Sequence, residues 1–316
     1  MNYSLTHKSK QFFWLLIKLS IVFGCGYFIY LKLTSNNQLS FSDFLLKMKE
    51  YNVFSLKNCI ILLFLSFTNW FLEIIKWKTL ASFSVKTSKT SAAIQSLASL
   101  TASLITPNRI GEYGAKALYF EKSYRKKILN LNLIGNLHQL LATLFFGVLG
   151  LIYFVDTNSV PFNLNKLSNF IIFIITGTIL LFFLWKYLFS KKQIFKNYKV
   201  SINKLEHSKI SALSFLRYLV FSHQFYFLIL LFNIEISYID AISAISTMYL
   251  ISSFIPMLSI FDAVLKGTVA IFIFNYLDIN AVLILCITTL MWFLNFVIPA
   301  IIGSYFVLTF KPKLAK

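Results

Sequence analysis

Charged residues are scarce in this sequence. Only 13% of the 316 residues carry a charged side chain, whereas 58% are hydrophobic and Phe alone occurs 35 times. A water-soluble globular protein of this length cannot bury so many apolar side chains. The composition therefore excludes a soluble globular protein and predicts an integral membrane protein.

Acidic residues are the scarcest of the charged ones. The 11 Asp and Glu residues face 30 Lys and Arg residues, which gives a formal net charge of +19. On a soluble protein this excess would indicate a nucleic-acid partner, but no basic stripe with interleaved aromatic residues stands outside the apolar runs. We therefore expect no nucleic acid as a partner. Basic residues beside the ends of apolar runs instead indicate contact with the anionic headgroups of membrane lipids.

Cysteine is rare, and catalytic motifs are missing. Cys25, Cys59 and Cys286 lie within or at the edge of apolar segments, with neither CxxC spacing nor a histidine at ligand spacing. We therefore expect neither a disulfide framework nor a metal site. The sequence contains no GxSxG motif and no phosphate-binding glycine loop. We expect no cofactor and identify no catalytic residue.

Long apolar runs predict the helices that cross the membrane, since a span needs ~20 apolar residues to cross ~30 Å of hydrocarbon. Six runs qualify: 11–33, 57–77, 130–155, 168–189, 213–233 and 281–308. Two further stretches, 91–120 and 241–277, are broken by Pro107 and Pro256 into halves too short to cross. We predict an all-α polytopic membrane protein with six full transmembrane helices and two re-entrant helical hairpins. Ordinary kinked spans are the alternative for the two broken stretches.

The positions of Lys and Arg predict the orientation of the chain. They are concentrated before the first run, around the first hairpin, in a basic linker at 190–212 and after the last run. Lys76 is counted among the residues that flank the first hairpin. By contrast, the loop 156–167 contains one basic residue, Lys166, and the loop 234–240 contains no Lys or Arg. This bias predicts a multi-pass protein of the bacterial inner (cytoplasmic) membrane whose linker and both termini are cytoplasmic.

The predicted orientation makes the two hairpins open to opposite sides. We expect a single integral membrane domain, 1–316, built from two inverted halves. The first half, 1–155, contains the hairpin 91–120, and the second half, 168–308, contains the hairpin 241–277. Inverted repeats with broken helices are typical of secondary transporters, whose sites lie near the midplane where the broken helices meet.

Charged residues follow the break in each hairpin. In the first, Arg109 is suited to a bidentate phosphate contact, and the start of the second arm favours an anion. Glu112 and Lys116 share a helix face, and Asp262 and Lys266 repeat their spacing in the second hairpin. We predict that these five residues form a lipid headgroup-binding site. For Glu112 and Lys116, mutual neutralisation that only holds the hairpin together stays open.

Several polar residues lie inside the predicted spans and should face protein rather than lipid. They are Asn69, Glu73, Asn136, His138, Gln139, His223 and Gln224. Interhelical hydrogen bonding is the alternative to a functional role for them. A metal site formed by two of the histidines is not favoured, because no close third ligand is visible.

At these two hairpins the sequence resembles the lysylphosphatidylglycerol synthase transmembrane-region family, which is also described as flippase-like membrane domains. The resemblance rests on Thr106-Pro-Asn-Arg-Ile-Gly-Glu-Tyr-Gly-Ala-Lys116, where the family typically has a T-P-G-R-x-G-E-like run, and on the stretch from Pro256 to Lys266. Asn108 replaces the usual glycine. The family's better understood members translocate an aminoacylated lipid that a soluble domain makes. We expect no soluble domain after Lys316, and therefore translocation without the soluble aminoacyl transferase domain.

These observations predict a lipid flippase- or transporter-like protein that handles an anionic or modified lipid or a lipid-linked precursor. Two alternatives stay open. The protein is a membrane partner subunit of a separate envelope enzyme, or it is an intramembrane lipid-modifying enzyme that uses a carboxylate or histidine as acid or base.

Overall fold

The computed structural model describes residues 41–104, 106, 109–158, 202–255 and 262–311, together with Leu16 and Leu19. Within these residues all regular structure is helical and no strand occurs. A π-helical turn, Phe293–Val297, joins the last two helices into one rod. The α-helices are α1 Phe41–Glu50, α2 Leu56–Ser82, α3 Lys89–Ser103, α4 Ile110–Leu118, α5 Arg125–Thr157, α6 Lys204–Leu231, α7 Tyr238–Phe254, α8 Asp262–Asn275, α9 Ala281–Trp292 and α10 Ile298–Thr309.

Four of these elements are long and apolar enough to cross a membrane: α2, α5, α6 and the rod Ala281–Thr309. They coincide with the predicted spans 57–77, 130–155, 213–233 and 281–308, so the prediction of a multi-pass, all-helical membrane protein is confirmed at this level. Their outer surfaces expose large apolar side chains, such as Phe64 and Phe67 on α2. The predicted spans 11–33 and 168–189 lie outside the described residues.

Two boundaries differ from the sequence predictions. Helix α6 begins at Lys204, where the side chain of Asn203 accepts a hydrogen bond from the N–H of Glu206. The last part of the predicted linker 190–212 is therefore helical. Helix α2 runs on to Ser82, so Lys76 is not a loop charge but a buried residue of a helix that is long and apolar enough to cross a membrane.

Both proline-broken stretches are interrupted where predicted. In the first stretch α3 ends at Ser103 and α4 begins at Ile110, and in the second α7 ends at Phe254 and α8 begins at Asp262. The two helices of each pair pack against one another. Pro107 and Pro256 themselves lie outside the described residues.

The helices of the two predicted halves pack in an interchangeable pattern. Helix α3 packs mainly against α10 of the other half, and α7 packs in the same way against α5. The contacts of α2 with α3, α3 with α4 and α4 with α5 recur between α6 and α7, α7 and α8, and α8 and α9, while α2 packs against α6. Exchanging α2, α3, α4 and α5 for α6, α7, α8 and the rod Ala281–Thr309 therefore leaves the packing pattern unchanged.

The two crossings between the halves depend on small residues. A Cβ atom added to Gly303 of α10 would overlap with the carbonyl oxygen of Leu97 on α3, and one added to Gly150 of α5 would lie 2.7 Å from Cβ of Ser246 on α7. Beside Gly303, the hydroxyl of Thr101 donates to the carbonyl of Ala300 at 2.9 Å. Close helix approach at glycine is typical of packing within membranes.

Candidate anion-binding cavity

A cavity of about 430 Å³ is lined by residues from both predicted halves. Aromatic side chains form much of its wall: Trp70, Phe221, Phe225, Tyr249, Trp292 and Phe296. Three basic residues, Arg109, Arg217 and Lys266, also line it, and none of the described lining residues is acidic. The cavity is therefore a basic compartment with aromatic walls inside a bundle of apolar helices.

Arg109 reaches the cavity from the break between α3 and α4. Its backbone is left-handed, with φ 57°, and its guanidinium lies 5.3 Å from the ring centroid of Phe296. The start of α4 was predicted to favour an anion, but the N–H of Gly111 there donates to the hydroxyl of Thr106 at 2.9 Å. At this point the chain caps its own helix, so the Arg109 side chain is the group presented to the cavity.

Lys266 reaches the same cavity from the second half, one turn into α8. Its Nζ atom lies 5.9 Å from the ring centroid of Tyr249. The structure thus brings Arg109 and Lys266 together, although 157 positions separate them in the sequence. Asp262 is the first residue of α8, but its side chain lies outside the described part of the chain.

Arg217 is the functional candidate that the sequence reasoning missed. It lies on α6, where its Nε donates to Oδ1 of Asn69 at 2.9 Å and its Nη1 donates to Oε2 of Glu73 at 2.7 Å. Its Nη2 atom has no hydrogen-bond partner among the described residues. The signal was available, because an arginine inside the predicted span 213–233 is costly in lipid and marks a functional position by default.

Behind the cavity wall, Glu73 contacts two cations. Its Oε2 atom lies 2.7 Å from Nζ of Lys76 and 2.7 Å from Nη1 of Arg217. Lys76 is 1% exposed and Glu73 is 8% exposed. Gln139, which lines the cavity, lies 3.5 Å from both cations through Oε1. This cluster holds the guanidinium of Arg217 in a fixed orientation at the wall.

The π-helical turn of the rod fixes the other side of Asn69. Asn295 accepts from Nδ2 of Asn69 at 2.7 Å and donates to Oε1 of Gln224 at 2.8 Å. Pro299 has no N–H that could donate to the carbonyl of Asn295, four residues earlier. The indole N–H of Trp70 donates to that carbonyl instead, at 3.0 Å. Single-turn π segments are frequent at functional sites, and this one ties α2 and α6 to the rod.

Glu112 and Lys116 do not line the cavity. They form an ion pair at 2.7 Å, as their spacing predicted. Nζ of Lys116 also donates to Oδ1 of Asn132 at 2.9 Å and lies 4.3 Å from the ring centroid of Trp77. This pair is a buried, electrically neutral contact that joins α4 to α5 and α2.

The remaining predicted polar residues make separate interhelical contacts. Asn136 donates to the hydroxyl of Tyr113 at 2.8 Å. The two predicted histidines have different partners, because Nε2 of His138 lies 3.2 Å from Nδ1 of His207, whereas Nε2 of His223 lies 2.9 Å from the hydroxyl of Tyr238. Among the described residues, no group of three or more His, Cys, Asp and Glu side chains has the arrangement of a metal site.

Of the predicted site residues, four line the cavity: Asn69, Arg109, Gln139 and Lys266. Glu73 and Gln224 stand behind its wall and hold residues that line it. Comparison of the chain with protein-family models, with curated proteins and with solved structures finds no match.

Proposed function

We propose that this chain is a lipid flippase- or transporter-like membrane protein that receives an anionic lipid headgroup in the cavity. The observation that carries the proposal is the meeting of Arg109, Arg217 and Lys266 in a cavity without a described acidic lining residue. Ionisable groups at membrane depth are costly and mark substrate pathways. A bound anion offsets that cost, and a volume of about 430 Å³ is within the usual range of ligand sites.

The proposed architecture is six transmembrane helices and two re-entrant hairpins in an inverted repeat, with halves 1–155 and 168–308. The interchangeable packing of the halves supports it, as do the two pairs of short helices at the proline-broken stretches. In such transporters, the broken helices of the two halves meet at the substrate site. The resemblance to flippase-like membrane domains points to the same class of function.

The proposed orientation in a bacterial inner membrane is tested at the two ends of α6. Ser208 is exposed near its start, and Glu235 is exposed just past its end. In spheroplasts of a variant without native cysteines, we expect a membrane-impermeant maleimide to label Glu235→Cys strongly and Ser208→Cys only after the membrane is opened. Labelling of Ser208→Cys from the outside would reverse the orientation and remove the charge-bias argument.

The transport proposal is tested by reconstitution in liposomes with fluorescent anionic glycerophospholipids. We expect Arg109→Lys to slow lipid translocation roughly tenfold, because a single ammonium cannot reproduce a bidentate, charge-assisted contact. Arg125→Lys is the matched control, since Arg125 donates to the carbonyl of Phe120 away from the cavity. Its rate should equal that of the unchanged protein.

Two outcomes would favour the alternatives. Translocation no faster than in protein-free liposomes contradicts transport and favours a partner subunit of a separate envelope enzyme. A change in lipid mass after incubation with the purified protein favours an intramembrane lipid-modifying enzyme.

A further inference from the structure

We propose that the cavity selects a headgroup that ends in a phosphate monoester with two negative charges over a singly charged phosphodiester. This inference rests on the proposed function and names the substrate class of the same site. The balance of buried charge around the cavity carries it.

One excess positive charge comes from the cluster behind the wall. Within the described residues, Lys76 and Arg217 share one carboxylate, that of Glu73. Its Oε2 atom contacts both Nζ of Lys76 and Nη1 of Arg217, so one negative charge faces two positive charges. The pair Glu112 and Lys116 is neutral by itself and leaves this balance unchanged. Arg217 therefore faces the cavity with a charge that its own cluster does not cancel.

A second excess charge comes from the break between α3 and α4. Arg109 lines the cavity against the ring of Phe296 and forms no ion pair within the described residues. Lys266 adds a third positive charge. Asp262 on the same helix can cancel no more than this one charge. Counted in formal charges over the described residues and Asp262, the cavity and the cluster behind its wall thus have an excess of at least two positive charges.

A doubly charged ligand fits this balance better than a singly charged one. In a low-dielectric site an uncompensated charge is costly, so a monoanion would leave one cation unmatched. A terminal phosphate also has three acceptor oxygens, which is enough to accept from the Nη2 of Arg217 and from Arg109 together. A phosphodiester has one charge and two free oxygens for the same donors.

The experiment compares dioctanoyl phosphatidic acid, dioctanoyl phosphatidylglycerol and inorganic phosphate on the purified protein. Binding is followed by tryptophan fluorescence, because Trp70 and Trp292 line the cavity. At pH 8 we expect phosphatidic acid to bind about tenfold more tightly than phosphatidylglycerol. The second pKa of a phosphate monoester is about 6, so its dianionic fraction, and with it the affinity, falls about tenfold at pH 5.

Phosphatidylglycerol is the internal control for titration of the protein. The nearby Glu73, Lys76, His138 and His207 are shared by both complexes, so any change in their charge alters both affinities, whereas the expected loss affects phosphatidic acid alone. Arg217→Gln and Arg109→Gln should each abolish the preference for phosphatidic acid. Arg125→Gln makes the same chemical change outside the cavity and should keep it.

Each of the other outcomes contradicts one defined part of the proposal. Equal affinity of the two lipids at pH 8 overturns the selection of a dianion and leaves the proposed function standing. Inorganic phosphate that binds as tightly as phosphatidic acid overturns a lipid as the source of the phosphate. If neither lipid binds and none is translocated, the proposed function fails as well. Arg109→Gln keeps the test valid if Arg217→Gln does not fold, because Arg109 lies outside the Glu73 cluster.

Discussion

Glu73→Gln is expected to destabilise the folded protein by roughly 3–5 kcal/mol, because it leaves Lys76 buried without its carboxylate. The same change releases Nη1 of Arg217, so the guanidinium at the cavity wall loses its fixed orientation. The measurement is the midpoint temperature at which the detergent-solubilised protein loses its monodisperse elution peak. Translocation in liposomes should fall with it.

Two further variants separate this effect from a general loss of surface charge. Glu73→Gln combined with Lys76→Gln removes the buried, unmatched cation and should recover a large part of the midpoint. Glu50→Gln breaks the exposed ion pair with Lys47 on α1 and should leave the midpoint unchanged. A double variant less stable than Glu73→Gln would mean that Lys76 has another compensating partner.

Glu112→Gln is expected to have an effect of similar size, roughly 3–5 kcal/mol, because Lys116 is 1% exposed and would lose its carboxylate. Lys116→Gln should also destabilise the protein, since it removes the cation that joins Glu112, Asn132 and the face of Trp77. The double variant should recover both stability and lipid translocation. A double-mutant cycle on the midpoint temperature and the translocation rate measures this coupling.

The recovery distinguishes the two roles that the spacing of Glu112 and Lys116 left open. A structural pair outside the cavity requires only that its charges cancel, so removing both is tolerated. If the double variant folds like the unchanged protein but does not move lipid, the pair takes part in headgroup binding. The cavity would then have to extend past Arg109 towards α4 during transport.

Local sequence was sufficient to predict the four helices that are long and apolar enough to cross a membrane, and the two interruptions. The length of an apolar run is a local property, and a proline inside a run interrupts the helix unless another group supplies the missing hydrogen bond, as Trp70 does four residues before Pro299. The ion pair of Glu112 and Lys116 followed equally from two positions on one helix. Helix ends were harder to predict, because a lysine at the end of an apolar run looks the same whether it enters water or, like Lys76, a buried ion pair.

Only the tertiary structure decided which side chains meet. Glu73 and Arg217 are 144 positions apart, and Asn69 and Asn295 are 226 apart. These helices are apolar around most of their circumference, so their sequence pattern indicates weakly which face turns inward. The crossings of α3 with α10 and of α5 with α7 set that rotation through close backbone approach. Lys116 and Lys266 both lie four residues after an acidic residue, yet packing buries the first in a neutral pair and directs the second into the cavity.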